Sequence, residues 1–369
     1  MSPQRTIAVG VAAVASLALA AAPPAAAIGQ PTDPGLVAWY PLTETGGATA
    51  ANAASGSAFG PATVVGGAGR GTSGVTLDGV DDHVELPDNL LTGLTDVTVS
   101  LDVLIDPAQA TPYFVYGLGN ATAADPNGYL FGTGNPYRAS ITTGAWQGEQ
   151  TVTKGQNLTR GVWKTLTYTL SGTTATLFED GVQIGRNTGV SIDPGAIGGG
   201  VTADNFIGRS QYAGDKRLKG QVRDFRLYDR ALPADDVAAL AAPTSTAAVQ
   251  ADLAALTPGD TTAVEADLVL PASGPNGSAV TWATGDPAVV TTAGKVTRPA
   301  AGSPPATTTL TATLVRGAVT RTKEFAVTVL PRLDDAGAVE QAVQRVTVKD
   351  VDDVRGNLRL PTTAGDVAL

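Results

Sequence analysis

Glu44, Glu85, Glu149 and Glu179 lie on separate segments of this chain, and Asp78, Asp81 and Asp82 crowd a single turn. Hydrolysing a glycosidic bond needs two carboxylates facing each other across it. Three acids at alternate positions of one strand would line one sheet face, and no such triplet occurs. The three aspartates instead read as turn residues that fix backbone. His83 is the one histidine and no cysteine is present, so His-cluster and thiolate zinc sites are excluded. His83 has no nucleophile motif beside it and reads as a packed structural histidine. Holding a sugar needs an aromatic face with hydrogen-bonding neighbours. Loop residues of those types occur at Trp146, Gln147 and Glu149 and again at Arg209, Gln211 and Tyr212, with Tyr116, Tyr129 and Tyr137 in the glycine-rich middle. Trp39 and Trp163 sit within strand patterns and read as core.

The elements that must position these residues are strands. The chain has 369 residues with 16% charged and 44 glycines, rich in Thr, Val, Gly and Ala, which points to an all-β chain with many turns. A net charge of −10 with no basic stripe argues against a nucleic-acid partner. At the N-terminus Arg5, an apolar run from Ile7 to Ala20 and Ala25-Ala26-Ala27 make a signal peptide over 1–27, so the protein is expected to be secreted and extracellular. No second apolar span follows, and no membrane insertion is expected.

From Pro34 to Ala242 strand follows strand. Leu36–Leu42 opens, Asp78-Gly79 turns before His83–Pro87, and Val97–Ile105 alternates as a strand with one face in the core. Trp163–Leu170, Thr174–Phe178 and Val182–Ile184 form a meander turned by Asp180-Gly181. Gln221–Tyr228 alternates with a slip near Asp224, and Pro233, Asp235 and Asp236 begin a short helix. This order fits a sandwich or jelly roll.

Val37-Ala38-Trp39-Tyr40-Pro41-Leu42, the turn Leu77–Leu86 (LDGVDDHVEL), the hairpin Leu170–Gly181 (LSGTTATLFEDG) and the stretch Asn205–Leu240 together carry a resemblance. They resemble, in order, the opening strand, "FDGxDDYVxLP" turn, "GTtaTLYvDG" hairpin and closing "IGrS…G.IDDfRIYnRAL" segment of laminin-G-like, concanavalin A-like jelly rolls. Departures are Arg223, where an acid is common, and the Gly/Ala run from Thr45 to Gly74. The resemblance implies a jelly roll over 33–242, without the one-strand acidic triplet of the glucanases of that fold. It also implies one structural calcium ion near the junction of the first and last strands, where Glu44 and Asp224 are the candidate ligands. The alternative is that Asp224 pairs with Arg223 or Arg226.

At Pro243 the composition shifts to Ala, Thr and Pro, and a linker is expected. Short strands follow at Asp267–Leu270, Ala279–Trp282, Val289–Thr292, Lys295–Thr297, Thr307–Val315 and Lys323–Leu330, an Ig-sized β-sandwich over 243–332. Val264–Pro271 (VEADLVLP) then recurs as Val354–Pro361 (VRGNLRLP), a repeat of about ninety residues, so 333–369 reads as a truncated second repeat. Both resemble atrophied bacterial Ig-like domains, which occur beside laminin-G-like and glycoside hydrolase domains, notably arabinan- and arabinofuranoside-cleaving ones. The expectation is therefore a non-catalytic carbohydrate-binding and spacer region. Its partner would be a polysaccharide or glycan, with Trp146, Glu149, Arg209, Gln211 and Tyr212 as ligand residues. A C-terminal catalytic or anchoring domain would lie beyond Leu369. The alternatives are a cell-surface adhesion or scaffold protein, or a hydrolase acting through the jelly roll itself. No catalytic residue is recognised in this chain.

Overall fold

The computed structural model describes residues 29–121, 126–346, 363–364 and 367–368. The expected signal segment 1–27 and the expected repeat motif 354–361 lie outside them. Two eight-stranded antiparallel sheets face each other over the principal core. The first runs in the order Val182–Asn187, Thr174–Glu179, Trp163–Ser171, Val97–Ile105, Lys219–Tyr228, Gly74–Asp78 and Gly69–Gly71, with Leu36–Tyr40 also paired to Lys219–Tyr228. The second runs Gln150–Thr153, Tyr137–Thr142, Gly128–Gly134, Phe114–Asn120, Asp204–Ile207, His83–Glu85, Ala62–Val65 and Thr49–Ala50. This is the expected jelly roll, and the Gly/Ala run from Thr45 to Gly74 supplies edge strands to both sheets.

The slip near Asp224 is a bulge. Lys219–Val222 pair with Gly74–Asp78, whereas Phe225–Tyr228 pair with Leu36–Tyr40. Between them the register breaks and Asp224 takes φ +53, the left-handed region that Asp tolerates better than most residues.

Val97–Ile105 departs from its expected one-sided burial. Its core side holds Val97, Val99, Leu101, Val103 and Ile105, but Thr98, Ser100 and Asp102 on the opposite side are buried too. The reason is helix α1 (Ala234–Ala255), which lies across that outer face and packs Val237 and Leu240 against Phe178, Tyr228 and Leu232. Thr98, Ser100 and Asp102 on the covered face are each paired, as burial demands. The Thr98 hydroxyl donates to the Arg230 carbonyl at 2.7 Å, and Asp102 accepts from Thr165 at 2.5 Å, from Arg223 Nε at 3.0 Å and from Thr244. Burial pushes the Asp102 carboxyl above its usual range, against the pull of those donors. Arg223, the departure noted in the closing motif, thus serves Asp102 and stacks 4.1 Å over the Trp163 ring.

The linker expected at Pro243 is helical. α1 runs straight through it, and Pro243 leaves the Ala239 carbonyl without an N–H donor. Packing outweighs that loss: the first half of α1 lies on the jelly roll, while Val249 and Leu256 enter the core of the next domain with Val280, Ala312 and Leu314. There a three-stranded sheet forms from Ala279–Thr284, Ala306–Arg316 and Val319–Val329. The strands expected at 267–270, 289–292 and 295–297 are not continuous. They reduce to isolated bridges, Val290 with Val296 among them, and to side-chain anchors such as Asp267 accepting from the Val296 N–H at 2.8 Å. Lys323 Nζ caps α1 by donating to the Leu253 and Leu256 carbonyls, each at 2.9 Å. A second helix, α2 (Asp335–Arg345), is capped by Asp334, which accepts from the Gly337 N–H at 2.8 Å. It stands about ninety residues after the second half of α1, the spacing expected between the two copies of the motif. Among the described residues no helix is long and apolar enough to cross a membrane.

Candidate functional site

Alternation along Gly128–Gly134 sends Leu130 into the core and Tyr129 and Phe131 to the outer face of the second sheet. Tyr137–Thr142 does the same, with Ala139 and Ile141 inward and Arg138 and Ser140 outward. Phe114 joins Tyr129 and Phe131 in an aromatic cluster separate from the core, its ring edge-on to Phe131 at 5.0 Å. An apolar floor outside the sandwich must be covered or used.

Two loops cover it in part. The turn Trp146–Gly148 projects from the hairpin between Tyr137–Thr142 and Gln150–Thr153, and leaves the Trp146 residue 63% exposed. The loop after Asp204–Ile207 brings Tyr212 over Tyr129, with ring centroids 5.8 Å apart. A run of hydrogen bonds ties the loops to the sheet. The Trp146 N–H donates to the Tyr212 hydroxyl at 3.2 Å, the two tyrosine hydroxyls meet at 3.2 Å, and Tyr129 donates to Glu149 Oε1 at 3.0 Å. Arg138 Nη1 donates to Glu149 Oε2 at 2.6 Å while its guanidinium lies 4.8 Å over Phe131. Burial first, then the bonds to Tyr212 and Glu149, raises the Tyr129 phenol far above its ordinary value, so it stays a donor.

Between these loops lies a cavity of about 540 Å³, lined by Phe114, Phe131, Arg138, Trp146, Glu149, Tyr212 and Asp215. Its size is that of a small-ligand site. A cavity of similar size, about 510 Å³, runs along residues 257–271 of the following domain, but its lining is turn backbone, small apolar residues and carboxylates with no aromatic face.

Of the expected ligand residues, Trp146, Glu149 and Tyr212 converge on this cavity and two do not. Arg209 stacks 4.2 Å over Phe206, away from the lining. Gln211 is buried against Gly117 and its amide donates to the Asp204 carbonyl at 2.9 Å, so it braces the loop that carries Tyr212. Phe114, Phe131, Arg138 and Asp215 were not among the expected residues. Alternation in Tyr137–Thr142 marks Arg138 as outward, but only the fold sets it beside Glu149. Tyr116 and Tyr137 are core residues. His83 is packed, edge-on to Phe206 at 5.5 Å, and burial lowers its pKa.

The proposed calcium ligands are each taken by an arginine. Glu44 pairs with Arg70 at 3.1 Å and accepts from the Ala51 N–H at 2.7 Å. Asp224 accepts from Trp39 Nε1 at 2.7 Å and from Arg226 Nε at 3.0 Å. Trp39 and Trp163 are therefore half-buried platforms under Arg226 and Arg223 rather than core. The acidic turn behaves as read: Asp78 accepts from the Val80 N–H at 2.7 Å and Asp82 from the Asp78 N–H at 3.0 Å.

Residues 78–238 match the concanavalin A-like lectin/glucanases superfamily, and residues 249–332 match the atrophied bacterial Ig domain. The chain joins a concanavalin A-like jelly roll to an atrophied bacterial Ig domain. The matched spans leave between them residues 239–248, all of which lie within α1. No curated protein matches the chain. Among solved structures, the chain is similar to domain 4 of AbnA, an extracellular GH43 arabinanase of Geobacillus stearothermophilus solved with arabinotriose. That match has 21% identity and a TM-score of 0.44, and it covers 56% of this chain and 98% of that one. Trypanosoma rangeli sialidase with sialic acid matches at 16% identity and a TM-score of 0.43, over 58% of this chain and 33% of that one. The CBM40 module of a Ruminococcus gnavus sialidase bound to sialyllactose matches at 16% identity and a TM-score of 0.35, over 41% and 83%.

Proposed function

We propose that the jelly roll holds a carbohydrate chain in the cavity beside Trp146, as the non-catalytic binding region of a secreted carbohydrate-active protein. The observation that carries this reading is an exposed indole set over an aromatic floor, with Arg138, Glu149, Tyr212 and Asp215 at its rim. Sugars present apolar ring faces and a fringe of hydroxyls, and this lining offers both kinds of contact. Glu149 is anchored by Arg138 and Tyr129, which suits a positioning carboxylate better than a general acid, whose proton must be mobile. The Ig-like domain and α1 act as the spacer. Tethering of this kind raises the local concentration of a linked enzyme on its substrate. The order of the two domains supports a parent protein of the glycoside hydrolase type, arabinan- or arabinofuranoside-directed.

The test is retention of the full chain on immobilised polysaccharides and a glycan array. Retention by at least one glycan, lost with Trp146→Ala, supports the reading, and no retention across the panel overturns it. Sugar release by the same preparation would favour the hydrolase alternative, since Glu149 and Asp215 line one cavity.

A further inference from the structure

We infer that this cavity selects neutral glycans and rejects those bearing uronic or sialic acids, with Glu149 and Asp215 as the specificity-determining carboxylates. The inference rests on the carbohydrate-binding reading above and names the class of ligand.

The charged groups of the lining are one guanidinium and two carboxylates. A glycan carboxylate needs a cation with free donors, best a bidentate arginine fork. Arg138 is the one cation in the lining, and its charge is already offset by Glu149. Its Nη1 donates to Glu149 Oε2 at 2.6 Å and to the Ser140 hydroxyl at 3.1 Å, while its face rests on Phe131. Glu149 in turn is held on its other oxygen by Tyr129. Taking Arg138 from Glu149 would strand a largely buried carboxylate, so the pair resists opening for an incoming anion. Asp215 carries a second negative charge to the rim, with one oxygen accepting from Ser210 at 2.5 Å. An acidic sugar would therefore meet a lining of net negative charge whose one cation is already neutralised, whereas hydroxyls can donate to both carboxylates.

Paired probes that differ in charge test this. The full chain is run by affinity electrophoresis against methyl-esterified pectin and the same pectin de-esterified, xylan and glucuronoxylan, and lactose- and sialyllactose-bearing polymers. The neutral member of every pair that is retained should be held about tenfold more strongly. Glu149→Gln, which keeps the shape and frees Arg138, should narrow that ratio to about threefold or less. Asp215→Asn should narrow it independently. Equal or stronger retention of the acidic members by the unaltered chain overturns the inference and leaves the binding reading standing. Retention of neither member of any pair overturns both. A ratio unchanged in both variants shows that these carboxylates do not select, and overturns their assignment.

Discussion

Arg316 of the Ig-like domain reaches into the jelly roll and pairs with Asp180 at 3.4 Å, with its side chain only 2% exposed. The same guanidinium donates to the Trp163 carbonyl of the jelly roll and to the Asn276 carbonyl of its own domain. Gly317 follows at φ +56 with the Asp180 carbonyl pressed against it, so a side chain there would collide with backbone. With α1 continuous across both domains, the Ig-like domain is fixed to the jelly roll by a helix and a buried ion pair.

Arg316→Ala should therefore loosen one domain from the other. Asp180 keeps Lys164 at 2.7 Å, but two carbonyls lose their donor, and the cost should be about 2–3 kcal/mol. Calorimetry should show a single transition in the unaltered chain and two in the variant. A single transition at unchanged temperature would show that α1 alone holds the domains.

Trp146→Ala should weaken glycan retention by about thirtyfold, the scale of an interface aromatic anchor. Its exposure predicts a change in stability below about 0.5 kcal/mol. A fall in melting temperature of the same size as the loss in binding would mark Trp146 as a structural prop.

Stability at acid pH should fall with the protonation of Glu179. Burial by itself would raise this carboxyl, but Lys154 at 2.6 Å and Lys164 at 2.9 Å outweigh burial and hold it below the ordinary glutamate range. A carboxyl whose folded value is lowered adds stability that is complete above the unfolded value and is lost as pH falls through the folded one. Urea midpoints should thus decline below about pH 4.5, and Glu179→Gln should be less stable at neutral pH with a shallower acid limb. An identical acid limb in the variant would assign the loss to other carboxylates.

Chelation should leave the melting temperature where it is. Glu44 and Asp224 are satisfied by Arg70 and Arg226, so neither needs a cation to offset its charge. A drop of several degrees in EDTA, restored by calcium, would show that an ion is held and that these pairs rearrange around it.

Periodicity made the strands legible because alternation is local. It gave the meander Trp163–Ser171, Thr174–Glu179 and Val182–Asn187, and the break near Asp224, which the structure explains as a change of neighbour strand. Composition misled at Pro243, where a proline in a run of Ala and Thr reads as a linker. Its helix is held by Thr244 bonding Asp102 and by Val249 entering the Ig-like core, contacts 142 residues apart in the first case.

For the site, residue type alone nominated Trp146, Glu149 and Tyr212 together with Arg209 and Gln211. The first three share the cavity because the hairpin turn at Trp146 and the loop at Tyr212 are pinned over one sheet face. Arg209 and Gln211 flank the same loop, yet one stacks on Phe206 and the other packs on Gly117. Alternation could say that Arg138 faces outward, but it could not say that a carboxylate eleven positions on would claim it. By itself the sequence determined the jelly-roll strands, the two domain types and the supply of aromatic and charged loop residues, since those depend on neighbours along the chain. Which of those residues meet, which carboxylate each arginine pairs with, and how the two domains lock were decided only by tertiary packing, because each depends on groups brought together from distant segments.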